Sequence, residues 1–537
     1  MRKRCAWLLM LLLLVNFICM DMSVCTAFAG ELSGYTVRIG LVSLYENQSQ
    51  IVVKNTSLVM GYETEGAFVQ CAVLNSSDGF TFTPDTSYCY ASEATYDSYE
   101  AVQQTIAGLK EKNEYISCGV SGTGKFRIYI SADSELTAQS LAAALEESVK
   151  IRFAAVEHDA FYRVKVTWQE GNLIIDVGSD NKYPQFQAGA ANEAGVYVLD
   201  LGERQYRGRM EIGRFGASNG LTPVSVLDME EYLYGVVACE MVPSWETEAL
   251  KAQAVCARSY AYALDKRTVE FGADNGYALF DTTRSQVYKG YGTETEKTNQ
   301  AVDATRGEMI YYRENVVKAF FYSTSGGHSE NCEDVWDVAL TYFRGVPDNT
   351  ELHQEKAPWI VVKTKAEIAE AVKGTGVDVG QVTNISAQIR SASGRIFRLR
   401  VTGTAGTAYL LKEKVRTELS LPGTKAKIVK YGDVPDKVYV QTMSGTSQKQ
   451  ISTSYIISGD GNISQAGEEL EQYVVISSDN LTNFPKNAPT DPDTYYFAGM
   501  GYGHGVGLSQ SGAQSLALLG YDYEYIIHHY YNKVEIR

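Results

Sequence analysis

The chain has 537 residues and a formal net charge of −16, from 64 acidic and 48 basic side chains. That length accommodates two or three domains, each able to bury its own core. The acid excess argues against a nucleic-acid binder and against long-range steering towards anionic polymers. The 37 tyrosines suit stacking on sugar rings and equally suit strands, where aromatic side chains are enriched.

The chain opens on an export signal. Arg2, Lys3 and Arg4 form a positive segment, residues 6–20 are apolar, and Ala27-Phe28-Ala29 is a small-x-small cleavage site followed by Gly30. The alternative is an uncleaved N-terminal anchor, although the apolar run is shorter than the ~20 residues a spanning helix needs. The expected location is therefore extracytoplasmic, secreted to the cell envelope or anchored at the N-terminus. No later stretch is apolar enough to span a bilayer. Removing residues 1–29 takes away Cys5, Cys19 and Cys25 and leaves Cys71, Cys89, Cys118, Cys239, Cys256 and Cys332. An even number permits disulfides without dictating them. Cys239 and Cys256 are either a bridge between two helices or two small buried thiols.

Residues 30–188 read as an accessory α+β region. Apolar residues alternate in 35–42 and 50–53, residues 115–130 carry two strand-like runs around glycines 119–124, and residues 137–151 have helical composition and spacing. This order of strand, turn, strand and helix resembles the small sporulation-related repeat domain that binds bare glycan strands. A generic α+β module without a ligand is the competing reading.

Residues 189–537 form the second region. Residues 196–227 are strand-rich and lead into 229–262. There Leu233, Val236, Val237 and Glu240 follow the i, i+3, i+4, i+7 spacing of one helical face, so Glu240 projects along the buried stripe. A carboxylate so placed should have a raised pKa. Pro243 stops this helix, with Ser244 expected as the next N-cap and Glu246 and Glu248 in the first turn. Lys251 and Arg258 lie within about 20° of each other on that second helix. The competing reading is an ordinary amphipathic hairpin with a solvated charged face.

Two later segments, 321–336 (FYSTSGGHSENCEDVW) and 499–513 (GMGYGHGVGLSQSGA), mix glycine with His, Ser, Gln and carboxylates as a substrate groove does. His328 and Cys332 have an i, i+4 relation, but Gly326-Gly327 argues for a loop, and two ligands do not make a metal site. Residues 364–373 read as a helix stopped by Gly374, and 389–401 as a hairpin turning at Gly394. Residues 443–467 and the stretch marked by Pro485, Pro489 and Pro492 read as projecting loops, placed to cover the groove as a lid. Strands and helices without regular alternation point to the α+β class.

Together, 229–262, 321–336 and 499–513 resemble the family of stage II sporulation protein D and the amidase-enhancer proteins, lytic transglycosylases of peptidoglycan or their close relatives. The pattern also touches 311–321, 342–346 and 520–531. The resemblance implies an exported enzyme that cleaves the β-1,4 bond between N-acetylmuramic acid and N-acetylglucosamine and leaves a 1,6-anhydro end, in cell-wall remodelling and in engulfment during sporulation. It implies Glu240 as the acid/base and Lys251, Arg258, Ser323, Ser325, Glu330, His504, Ser509 and Gln510 as supporting or substrate-binding residues, with Asp334 and Trp336 locking the loop that carries Ser323 and Ser325. Lys251 and Arg258 cannot both pair closely with Glu240, because a nearby cation lowers a carboxylate pKa by ~1 to 3 units and defeats general-acid work. Val242 stands where the family more often has Pro or a similar residue. Some members hold a zinc through His and Cys just after the arginine-bearing helix, but residues 271–291 contain neither, so no metal or cofactor is carried over. The expected partners are glycan strands lacking stem peptides and a cell-wall amidase. A non-catalytic glycan-binding amidase enhancer and a hydrolytic muramidase are the competing functions.

Overall fold

The computed structural model of the chain describes residues 35–537 apart from 65, 111–114, 123, 157–162, 178–181, 216–218, 272–275, 349–357, 434–436, 443–444, 452–454, 458–462, 466–471 and 477–480. The expected export signal, with Cys5, Cys19 and Cys25, lies outside the described residues. Two compact units divide the chain: one holds residues up to 244 together with 257–308, the other 245–256 together with 309–537. Strands and helices are mixed in both, and most strand pairs are antiparallel.

The first unit contains a seven-stranded sheet in the order Leu279–Phe280, Thr36–Gly40, Thr222–Asp228, Arg209–Gly213, Gln185–Ala188, Ser57–Thr64 and Ala67–Asn75. Its strand pairing crosses the boundary expected at residue 188. Thr36–Gly40 pairs with Thr222–Asp228, and Gln185–Ala188 with Arg209–Gly213. Val37 and Ile39, two residues apart and so on one face of their strand, are fully buried. A second, eight-stranded sheet lies entirely between Ile51 and Asp176. The Glu135–Val149 helix packs against its Phe126–Ala132 strand. That helix begins two residues ahead of the predicted 137 because the Ser134 hydroxyl accepts the Thr137 N–H, and it stops where Lys150 turns left-handed at φ 60°.

In the second unit the Thr494–Met500 strand is central to a three-stranded sheet, between Pro358–Thr364 and Ala426–Lys430. A second three-stranded sheet, Val382–Arg390, Ile396–Gly403 and Thr407–Leu411, shares a core of Ile368, Leu399, Val401 and Phe497 with it. The predicted helix after residue 364 is Lys365–Ala371, started by reciprocal hydrogen bonds between Thr364 and Glu367. Two expectations change here. The described parts of 443–467 form antiparallel pairs, Lys437–Thr442 with Gly445–Gln450 and Tyr455–Ile457 with Ile463–Gln465. Every residue of Gly445–Gln450 is exposed, and a strand with neither face buried shows no apolar alternation to read. Thr494–Met500 is a strand hydrogen-bonded on both sides, so the stretch marked by Pro485, Pro489 and Pro492 does not run directly into Gly499. Among the described residues no helix is long and apolar enough to cross a membrane.

Candidate functional site

Asp228 caps the Met229–Glu240 helix by accepting the Glu230 N–H at 2.9 Å. Leu233, Val236 and Val237 are fully buried, and the fourth residue of their stripe, Glu240, emerges half-buried at the helix's last position. The Val287 backbone N–H donates to Glu240 Oε1 at 2.7 Å. This fixes the carboxylate while leaving it in touch with solvent. Burial raises the phenol of Tyr260 to about 12, and the Glu240 charge adds to that shift; the fully buried Tyr232 phenol is raised by the same combination. Gln286, fully buried, bridges the Tyr232 hydroxyl and the Ala257 carbonyl, each at 3.4 Å. In the same unit an open cavity of about 420 Å³ is lined by Asp200, Arg204, Gln205, Lys289 and Thr293. Thr293 Oγ1 accepts from the thiol of Cys239, the residue before Glu240, at 3.5 Å.

The next helix, Thr247–Phe271, starts later than Ser244. Ser244 is exposed and does not cap it. Residues 241–246 form a turn, and the Glu246 N–H is taken by Gln514 Oε1 at 2.8 Å. Glu248 is in the first turn, where its carboxylate receives Lys251 Nζ at 2.7 Å and the Tyr523 N–H at 3.0 Å. Lys251 also sits 5.5 Å from the Tyr523 ring centre. Arg258 is fully buried and forms a two-pronged pair with Glu230, at 2.8 and 2.6 Å, with a further bond of 3.0 Å to the Glu308 carbonyl. Its guanidinium therefore serves the first turn of the 229–240 helix, the end away from Glu240, and does not face substrate.

Within the second unit the structure brings the two glycine-rich segments side by side. Phe321–Tyr322 pairs in parallel with Leu508–Ser509, Thr324 bridges to Tyr502, and the Glu330 N–H donates to the Gly505 carbonyl at 2.7 Å. Gly501, Gly503, Gly505 and Gly507 all have positive φ. At Gly507, φ is +81° and a Cβ would lie 2.0 Å from the Phe320 carbonyl oxygen, so Gly507→Ala is expected to cost at least ~1–3 kcal/mol. A chemical-denaturation midpoint measures it, and an unchanged midpoint contradicts the strain argument.

Most predicted groove residues here are turned inward. Ser325 is fully buried, its hydroxyl accepting the Gly327 N–H at 2.9 Å and its carbonyl the Arg395 guanidinium at 2.7 Å. Glu330, 2% exposed, accepts from Ser393 at 2.6 Å and from Ser391. It thus ties its loop to the turn after Val382–Arg390 rather than facing a groove. Ser509 is the buried N-cap of the Gln510–Leu518 helix, and Gln510 donates to Gln253 at 3.4 Å. Ser323 stays partly exposed, with its carbonyl accepting the Ser511 N–H at 3.0 Å. Asp334 accepts from Asn331 at 3.0 Å, and Trp336 stacks 4.5 Å from Phe320, which braces the loop after Ser325.

His504, partly exposed, is flanked by Tyr322 and Trp336 at ring separations of 5.5 and 5.1 Å. Its Nδ1 accepts the Val506 N–H at 3.1 Å, and the ring also bonds to the Phe321 backbone. Burial first, then the charges of Arg416 and Arg395, lower its pKa to about 3. The imidazole is therefore neutral in the working range and its polar atoms serve the backbone. Because the unfolded chain takes up this proton near 6.5 and the folded chain only near 3, stability falls as the pH drops through that interval. His504→Gln should flatten the decline of melting temperature below pH 6.5; an unchanged slope rules out His504 as its source.

None of the six described cysteines, Cys239 and Cys256 included, forms a disulfide with another described residue. His328 Nδ1 lies against the Ser329 carbonyl at 2.6 Å, and Cys332 starts a short helix. No group of three His, Cys, Asp or Glu side chains among the described residues is placed to hold a metal ion. The sequence reading missed Val287, Gln286 and Arg395. Val287 acts through its backbone and leaves no side-chain signal. Arg395, 2% exposed and packed on Gly505, is legible only once the strands are paired.

Residues 217–312 match the family described as Stage II sporulation protein, and residues 348–461 match a domain of unknown function. The chain is 27% identical over 341 residues to the Amidase enhancer of Bacillus subtilis (strain 168), covering 62% of this chain and 44% of that protein. It is 26% identical over 325 residues to Stage II sporulation protein D of the same organism, covering 58% of this chain and 75% of the relative. Stage II sporulation protein D of Bacillus amyloliquefaciens is 32% identical over 177 residues, 30% of this chain and 51% of the relative. The chain thus spans less than half the length of the Amidase enhancer.

Proposed function

From a chain that carries a Stage II sporulation protein domain and is homologous to Stage II sporulation protein D and Amidase enhancer, we propose an exported lytic transglycosylase of peptidoglycan. The observation that carries the reading is Glu240 itself, a half-buried carboxyl at a helix end, fixed by the Val287 N–H. In the first step the Glu240 carboxyl donates its proton to the glycosidic oxygen as the bond to the muramic acid anomeric carbon breaks. In the second, the C6 hydroxyl of the same sugar bonds to that carbon and returns its proton to the carboxylate. Water is neither consumed nor released. One carboxyl group serves both steps if it is poised near the working pH.

A hydrolase acting on the same bond generally uses a second carboxylate at a set separation. Asp281, the other carboxylate whose charge reaches Tyr232, is buried and bonded to the Ser43 N–H and hydroxyl, with Arg204 at 3.7 Å. Those partners make it a bracket for its own loop and favour transglycosylation over hydrolysis. The cavity lined by Lys289 and Thr293, which the Cys239 thiol reaches through Thr293, is the candidate site for the sugar, and remodelling of glycan during sporulation, beside a cell-wall amidase, is the setting. The second reading, favoured by the name Amidase enhancer, is a glycan-binding stimulator without catalysis.

The test is mass spectrometry of fragments released from amidase-treated peptidoglycan by the exported chain. Anhydro-muramyl ends support the proposal. Reducing ends point to a muramidase, and no cleavage of a substrate that another enzyme digests moves the enhancer reading to first place.

A further inference from the structure

The second unit contains a cavity that none of this chemistry uses. It holds about 270 Å³ and is lined by Arg390, Lys425, Lys427, Thr482, Asn483 and Met500. An adjoining cavity of about 400 Å³ shares Arg390 and Lys427 and adds Lys430 and one carboxylate, Asp433, which accepts the Lys430 N–H at 3.0 Å. The cavities lie at one edge of the three-stranded sheet, where Val382–Arg390 ends and Ala426–Lys430 begins. A basic cleft is unexpected in a chain of net charge −16, and it requires a local cause.

Two groups define what fits. Arg390 donates to the Gly394 carbonyl at 2.7 Å and the Ala426 carbonyl at 2.8 Å, and it forms no ion pair among the described residues. A guanidinium held by neutral carbonyls keeps its full charge available to a carboxylate or phosphate. The Arg390 side chain is exposed at the last position of its strand, which leaves it open to a ligand from solvent. Asn483 is 2% exposed. Its amide nitrogen donates to the Trp359 carbonyl, Gln472 Oε1 and the Gly499 carbonyl at 3.0, 2.8 and 3.2 Å. Those three acceptors fix which way the amide points, and its oxygen is left buried with no partner. A buried acceptor in that state calls for a donor.

The site therefore asks for an anion and an N–H donor on one small scaffold. Muramic acid stripped of its stem peptide carries both, a free lactyl carboxylate on C3 and an acetamido N–H on C2. Along a stripped strand the pair recurs at every second sugar, which suits two joined cavities that share their cations. We propose that this cleft is a second glycan-binding site, separate from Glu240, that recognises the lactyl carboxylate and acetamide of peptide-free muramic acid. The inference rests on the reading of peptidoglycan as substrate, and on that reading it holds the protein on strands an amidase has already cleared.

Binding is tested apart from cleavage by ligand-observed NMR titrations of the exported chain in the Glu240→Gln background. The probes are N-acetylmuramic acid, N-acetylglucosamine, which lacks the carboxylate, and N-acetyl-D-alanyl-D-alanine, which carries a peptide carboxylate. The expected result is saturable binding of N-acetylmuramic acid, at least ~10-fold weaker binding of the other two, and loss of ~10-fold in affinity in Arg390→Gln, about the effect of one charge-assisted hydrogen bond. Lys427→Gln, at the rim between the cavities, provides a second variant should Arg390→Gln not fold. Equal binding of N-acetylglucosamine, a preference for the peptide, or affinity unchanged in a folded Arg390→Gln or Lys427→Gln overturns the assignment. Binding with this pattern by a parent chain that releases no anhydro ends separates the two proposals, sinking catalysis while leaving the site standing.

Discussion

Glu240→Gln should abolish formation of anhydro-muramyl ends, with a loss of about 10²–10⁴-fold typical of removing a general acid or base. Glutamine keeps the shape, and its amide oxygen can still accept the Val287 N–H that holds Glu240 Oε1 at 2.7 Å. What it lacks is a proton to give and a lone pair basic enough to take one back. The melting temperature should stay close to that of the parent, since the substituted group is half-buried and keeps its hydrogen bond. Running the reaction in ¹⁸O-labelled water adds a second readout, because intramolecular attack by C6 puts no label into the product. Label at the new end identifies a hydrolase, and cleavage that persists at the parent rate in the variant would falsify the role of Glu240.

Arg258→Met should have the largest effect on stability, a loss of about 3–5 kcal/mol for breaking a buried ion pair from one side. The guanidinium and the Glu230 carboxylate are both buried and bonded through two N–H groups, and the Glu230 carboxylate also receives the Gly307 N–H at 3.3 Å. Removing the cation strands a carboxylate in the interior. The double variant Arg258→Met with Glu230→Gln should recover a large part of the loss, because no uncompensated charge remains. Denaturant unfolding of the parent, both single variants and the double variant decides it. Equal destabilisation by the single and double variants excludes a charge effect and leaves only packing. The same result separates the two cations of the 247–271 helix, since Lys251, part-exposed and shared with Glu248 and Tyr523, should cost little when replaced.

The end of the helix at Glu240 and the hairpin turn at Gly394 were legible because their signals are local. Leu233, Val236 and Val237 mark a stripe by spacing alone, and they are all fully buried. Gly394 sits in the turn between Val382–Arg390 and Ile396–Gly403 with φ +85°, as the hairpin reading requires. The polar glycine-rich segments were also legible as unusual, but not the use of their side chains. Ser325, Glu330 and Ser509 look the same in the sequence whether they face a sugar or a backbone. The structure turns their polar groups onto Gly327, Ser393 and Gly512. His504 shows the same ambiguity, since its neighbours in sequence are glycines while its neighbours in space are aromatic rings and a backbone turn.

The sequence by itself determined the mixed strand and helix composition, the placement of Glu240 at the end of an apolar helical stripe, and the family resemblance of residues 229–262. Each follows from side chains within a few turns of one another, where helical spacing, capping and glycine punctuation act directly. Only the tertiary structure decided which carboxylate Arg258 meets, because Glu230 and Glu240 sit on the same helix and a spacing rule cannot tell which end is packed against the cation. It alone put Val287 against Glu240, Asn483 and Arg390 around one cavity, and residue 36 beside residue 228 in one sheet. Partners that far apart in sequence meet only when apolar burial closes the intervening loops, and that contact leaves no local pattern to read.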